Sequence, residues 1–280
     1  MYWKPRRFAR LGELPDDQLF RELEAGLTLA AKNSNRLATD ASRLADADSA
    51  PGRPARVLAS HAREEAGKFL MLLDAARCPR RHLGAHLKRV GQHLPRLLYS
   101  EAAKIYPATF EELTRYIENN RPSHYLDGPE GVEWVFRNAL LFWREQALYV
   151  DYIELEDRSC QWQDPDHFEG IDFTSLDISG HDLVVALTEA GLHQAAALEI
   201  LASHWRSFEP GPDTHFTEVR DRVATSMNAL KSQDILKGDP ASWQRILEHW
   251  SFPLWGVDTS EKNVEMSDLL EDRKRYDAWH

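Results

Sequence analysis

The chain has 280 residues, 42% of them hydrophobic and 28% charged, with a formal net charge of −11. That length supports one large domain or two small ones around a sizeable core, and the acidity argues against sequence-independent DNA binding, which rests on neutralising many phosphates. The two cysteines, Cys78 and Cys160, stand far apart in no zinc-binding spacing, and no apolar run approaches the roughly 18 residues of a membrane span.

Leu14-Pro15-Asp16-Asp17 reads as a helix start, with acids placed for the positive end of the dipole. Phe20, Leu23, Leu27, Ala30, Leu37, Ala41 and Leu44 keep a helical period and predict a helix over 16–47. Turn formers at 48–54 break it, and a second helix is predicted over 54–76 with the stripe Leu58, Ala62, Glu65, Phe69, Leu72, Ala76. Further helices are predicted over 81–101, with an interruption at Pro95, then over 109–119 and over 130–146. Residues 148–153 read as a short extended segment, because β-branched and aromatic residues cluster there. Residues 164–180 are a polar, Gly/Pro-punctuated connection, and helices follow over 180–208, 216–231, 242–250 and 261–276. Residues 251–256 form an apolar loop expected to pack on the body. The expectation is an all-α protein with two units, 1–165 and a helical extension 166–280 packed on it. The first residues lack the apolar core of a signal peptide, so a cytoplasmic chain without membrane contact is expected.

The densest chemical signal runs from Arg77 to Lys104. Seven Lys/Arg (Arg77, Arg80, Arg81, Lys88, Arg89, Arg96, Lys104) stand against one acid, Glu101, with His82, His86 and His93 among them. The segment carries +6, which leaves −17 for the rest of the chain. Such an island in an acidic protein points to a local anion site.

The helix pair carries Asn35-Arg36-Leu37-Ala38-Thr39-Asp40 and Ala59-Ser60-His61-Ala62-Arg63-Glu64-Glu65-Ala66-Gly67-Lys68. Arg81-His82, His86 and Lys88 follow, then Ala147-Leu148-Tyr149-Val150-Asp151-Tyr152, Trp162 and Pro165. In this order the chain resembles the AbiV-type abortive-infection proteins, a branch of the HEPN superfamily, over about 16–165. The resemblance implies an up-and-down helical bundle, a homodimer and a role in antiphage defence. Many HEPN domains are metal-independent RNases that use an Arg with a His a few residues later. Arg81, His82 and His86 match that pattern, and Arg77/His82 or Arg80/His86 also satisfy it.

RNA cleavage without metal needs a base for the 2′-hydroxyl, an acid for the leaving oxygen and a fixed donor for the phosphate charge. His86 is the expected acid/base, Arg81 the phosphate fork and His82 the orienting group, with Arg80, Lys88 and Arg89 as further phosphate binders. On a helix, His82, His86, Arg89 and His93 share one face, which equally suits a solvated face paired with the protein's acids. His82 and His86 stand at i, i+4, but no carboxylate lies at a fitting position, so neither metal nor cofactor is expected. Glu64 is expected to pair with Lys68 at the surface, and Glu65 to lie in the apolar stripe and need a buried partner. Asn35 and Asp40 are expected as interhelix hydrogen-bond partners, and Trp134, Phe136, Phe142 and Trp143 as core or interface. Two functions follow from these readings. One is an endoribonuclease acting on RNA in phage defence. The other is a non-catalytic HEPN-type protein that binds a phage protein, a nucleotide or a translation component.

Overall fold

In the computed structural model, residues 7–45, 51–127, 134–146, 148–154, 160–163, 176–250 and 252–277 are described. A short 3-10 helix, Phe8–Glu13, leads into α1, Asp16–Ala45, and α2, Arg53–Arg77. Asp16 and Asp17 occupy the first turn of α1, where negative charge meets the helix dipole. Phe20, Leu23, Leu27, Ala30 and Ala41 of the predicted stripe are buried, with Leu19, Ser34 and Ala38 beside them, while Leu37 is half-buried and Leu44 exposed, so the buried face shifts to Ser34 and Ala38 in the second half of the helix.

α1 and α2 form the central antiparallel pair. Gly26 lies against Leu72 and the Ser34 hydroxyl donates to the Ala62 carbonyl at 3.0 Å, so ascending positions on α1 meet descending ones on α2. Small residues line both helices towards their connection: Ala30, Ala31, Ser34, Ala38 and Ala41 on α1, and Ala55, Ala59, Ala62 and Ala66 on α2.

α3, Arg80–Arg89, and α4, His93–Ala102, replace the single helix predicted over 81–101. The break falls at 90–92, before Pro95, because a proline in the first turn of α4 sacrifices no helical hydrogen bond. α4 crosses α2 at Gly67, where a Cβ would overlap the Arg96 carbonyl. α5, Phe110–Asn119, is capped by Thr109, whose hydroxyl accepts from the Glu112 N–H, and the Glu112 side chain accepts from the N–H of the preceding Ala108.

The helix predicted over 130–146 is corrected. β1, His124–Asp127, pairs antiparallel with β2, Trp134–Arg137, and α6 spans only Ala139–Gln146. Trp134, Val135 and Phe136 are strand formers, and Asn138 then starts the helix by accepting from the Leu141 N–H. Buried Asn138 also donates to the Asn120 and Pro122 carbonyls, tying the hairpin to α5. The predicted extended segment holds β3, Asp151–Glu154, whose partner β4, Cys160–Gln163, had no clear signal. Among the described residues the fold is therefore mostly helical with two antiparallel strand pairs, where the sequence suggested one extended segment. The connection predicted over 164–180 lies outside the described residues up to 175.

The helix predicted over 180–208 is two, α7, His181–Glu189, and α8, Ala195–Trp205. Gly191 at φ +78° supplies the left-handed residue that ends the first. α9, Phe216–Ser232, α10, Pro240–His249, and α11, Met266–Asp277, follow. α7 and α8 pack on both α1 and α2, and Phe252, Leu254, Trp255 and Val257 of the following loop are buried in the same core. Among the described residues no helix is long and apolar enough to cross a membrane.

A Gly67→Ala chain will be less stable by at least the 1–3 kcal/mol typical of overpacking, because α2 and α4 must separate to admit the methyl. Urea denaturation followed by circular dichroism measures this, and an unchanged midpoint would refute the close crossing.

Candidate functional site

The island does not form a basic surface. Arg77 ends α2 with 1% of its surface exposed, and its guanidinium carbon lies 4.4 Å from the centroid of Trp205 and 4.1 Å from that of Trp250. Its Nε and Nη2 donate to Asp74. Asp74 is itself buried and also accepts from the Tyr99 hydroxyl at 3.1 Å and the Leu254 N–H at 3.2 Å. Arg77 Nη1 has no hydrogen-bond partner among the described residues, and Arg77, Asp74 and Tyr99 line a cavity of about 20 Å³, enough for one water.

His86, the expected acid/base, is fully buried. Its Nε2 lies 2.7 Å from the Met71 carbonyl, which can only accept, so Nε2 carries the hydrogen and Nδ1 faces the Tyr99 hydroxyl at 3.5 Å. Burial pushes its pKa down from 6.5, against the pull of Asp74, and keeps the ring neutral. Arg81 lies on the exposed side of α3, five residues away and about 140° round the axis. There Arg81 pairs with Glu209, His82 Nε2 stands 3.3 Å from the same carboxylate, and Arg81 Nε contacts His82 Nε2 at 3.2 Å. The expectation of one catalytic centre from Arg81, His82 and His86 is therefore corrected: Arg81 and His82 share an acid at the surface, while His86 is sealed beneath.

The assigned phosphate binders are mostly engaged as well. Arg80 pairs with Asp16 and donates to the Leu14 carbonyl at 3.1 Å, and Arg89 donates to the carbonyls of Trp255 and Val257 in the C-terminal loop. Arg96 is held by Glu64 and the Val90 carbonyl, and Lys104 by Glu101 and Asp177. Lys88 alone of the seven cations is exposed without a partner among the described residues.

The roles expected for Glu64 and Glu65 are exchanged. Glu64 is buried at 4% exposure and accepts from His93 Nδ1 at 2.8 Å, from Arg144 and, at 3.5 Å, from Arg96, joining α2, α4 and α6. Burial raises its pKa, but the His93 and Arg144 hydrogen bonds outweigh this and hold the carboxyl below its usual range. Glu65 is the member of the pair that meets Lys68. The period places Glu65 on the α1-facing stripe, whereas α4 and α6 cover the neighbouring face and enclose Glu64. Beside Glu64 on α2, the buried Arg63 pairs with Glu101 of α4 and with Asp177. Asn35 is exposed, and Asp40 pairs within α1 with Arg36 and Arg43, so neither makes the expected interhelix bond. That bond comes from Ser34, which also meets His181 Nδ1 at 3.1 Å. Phe136 is exposed at 40% and Phe142 half-buried, while the side chains of Trp134 and Trp143 lie outside the described residues.

Two concavities were not visible in sequence. One, of about 420 Å³, lies between the end of α4, residues 176–180, α7 and α10, with Lys104, Tyr106, Asp177, Arg245 and His249 on its walls. The other, of about 400 Å³, lies between the 3-10 helix and α1, with Leu11 and Leu14 beside Arg7, Arg10 and Arg21. Among the described residues no three of His, Cys, Asp and Glu converge as a metal site. No family model, curated protein or solved structure matches this chain.

Replacing Glu64 by Gln should cost about 3–5 kcal/mol, since His93, Arg96 and Arg144 would lose their shared carboxylate, while Glu65→Gln should cost about 1 kcal/mol or less. Urea midpoints of the two variants test the exchange directly. A second expectation concerns pH. His86, His181 and His193 all have pKa values lowered by burial, so the unfolded chain binds protons that the folded chain refuses. Their contribution is complete above the ordinary value of 6.5 and is lost as pH falls below it, by up to about 1.4 kcal/mol per pH unit for each histidine. The slope of stability against pH below 6.5 should become shallower in His86→Gln, and an unchanged slope would contradict the buried neutral ring.

Proposed function

We propose that this chain is a HEPN-like helical interaction protein of the AbiV-type abortive-infection kind, which acts in antiphage defence by holding a partner and not by cutting RNA through Arg81, His82 and His86. The order of polar residues along α1 and α2, and the long antiparallel pair they form, support the HEPN-like reading. One observation carries the non-catalytic part. The histidine assigned to proton transfer is fully buried with its Nε2 hydrogen committed to the Met71 carbonyl, while Arg81 and His82 are engaged by Glu209. General acid/base catalysis requires a lone pair within hydrogen-bond reach of the substrate, and a phosphate fork requires a guanidinium open to an incoming anion. The partner class is a phage protein or a component of translation.

The test is an RNA digestion with chelator present, using the parent chain, Arg81→Ala and His82→Ala, beside a phage plating assay in cells expressing each. RNA should remain intact with all three proteins, and plaque formation should be restricted equally by all three. Cleavage by the parent that is lost in His82→Ala would overturn the reading in favour of an RNase.

A further inference from the structure

The concavity between the end of α4, residues 176–180, α7 and α10 holds about 420 Å³, within the range of small-molecule sites. Its walls carry charges of both signs. Lys104 and Asp177 pair with each other at 2.8 Å, and Arg63 and Glu101 complete that balance beneath them. Two charged groups on the walls are left over: Arg245 on α10 and Asp182 in the first turn of α7. Both are exposed and have no hydrogen-bond or ion-pair partner among the described residues. Ala103, Leu176, Ile178 and Leu183 give the cavity its apolar lining. The Tyr106 hydroxyl lies 3.0 Å from His249 Nδ1, with the two rings 5.5 Å apart, so a hydroxyl and an imidazole share one wall.

The spacing of the two free charges limits what they can hold together. α7 and α10 pack antiparallel: Ser242 donates to Glu189 at 2.6 Å near one end, and His249 shares this cavity with Leu183 at the other. Arg245 lies one turn before His249, and Asp182 is the neighbour of Leu183. The positions of Arg245 and Asp182 are therefore offset by about one helical turn, roughly 5 Å along the axes. A wall with one open cation and one open acid suits a zwitterion, whereas a polyanion that reaches Arg245 also meets Asp182 and Asp177. Two residues of extended chain span roughly 7 Å, enough for an ammonium and a carboxylate at their ends to meet both groups. A free amino acid carries both charges on one carbon and spans less.

We propose that this cavity binds a dipeptide with apolar side chains. Asp182 receives its ammonium, Arg245 its carboxylate, and Tyr106 and His249 hydrogen-bond the peptide group between them, while the side chains lie on Leu176, Ile178 and Leu183. The site shares no residue with the surface formed by Arg81, His82 and Glu209, so its test and the digestion assay fail separately.

Isothermal titration calorimetry on the full chain reads the outcome, with four probes: L-leucyl-L-leucine, its N-acetyl derivative, its C-terminal amide and free L-leucine. The parent should bind one L-leucyl-L-leucine per chain, and each of the other three at least about tenfold more weakly. The Arg245→Gln chain should bind the dipeptide and its amide equally while still rejecting the acetylated form. Asp182→Asn should do the reverse, binding the dipeptide and its N-acetyl derivative equally while still rejecting the amide. Both positions are exposed, so each variant should keep the parent's circular dichroism. A parent that binds no dipeptide, or binds free leucine as tightly, would overturn the proposal. So would variants that keep both discriminations, or a parent that accepts the acetylated form equally, which would assign the cavity to the C-terminus of a longer chain.

Discussion

The buried ion pair of Arg77 with Asp74 is the contact on which most of the remaining arrangement rests. Asp74 is on α2, and what it and Arg77 hold comes from everywhere else: Tyr99 from α4, Trp205 from α8, Trp250 at the end of α10 and the Leu254 backbone from the C-terminal loop. A charge taken this far from water costs several kcal/mol unless its partner and its remaining donors are satisfied. Two indole faces and a carboxylate meet most of that requirement, and a desolvated cation over a Trp face contributes roughly 2 kcal/mol. The C-terminal loop is thus fastened to the first helices by a polar core as well as by apolar burial.

The charge asymmetry of the chain has the same explanation. Its basic stretch is short and its acids are scattered, yet in the fold acids from distant positions come to the stretch: Asp16 to Arg80, Glu209 to Arg81, Glu64 to Arg96, Asp177 to Lys104. Arg89 is held by backbone carbonyls of the C-terminal loop. The island thus fastens an acidic protein through paired cations, Arg77 and Arg96 in the core and Arg80, Arg81 and Lys104 at the surface.

This arrangement separates the residue types a metal-free RNase needs. His86 has the chemistry of a proton carrier but no route to solvent, and Arg81 and His82 have access but share Glu209. Lys88 on α3 and Arg7 and Arg10 before α1 are exposed and have no partner among the described residues.

Much of the fold was legible in the residues themselves. The helical periods of α1 and α2, the start of α2 beside Pro54, the break near Cys78-Pro79, and the burial of the loop after Trp250 follow from local rules about apolar spacing, caps and turn formers. Those rules failed where two local preferences competed, as at Trp134–Arg137, and where a break depended on a single Gly such as Gly191. The site was less legible. Periodicity ranks positions by angle around one helix, but which angle becomes buried depends on the helices that cover it. That is how Glu64, not Glu65, came to lie under α4 and α6. In the same way the sequence determined that Arg81, His82 and His86 are near one another on one helix with the right chemical types. Only the tertiary structure decided that the helix turns His86 into the core and Arg81 towards Glu209, because the packing of a single short helix assigns opposite environments to residues about 140° apart.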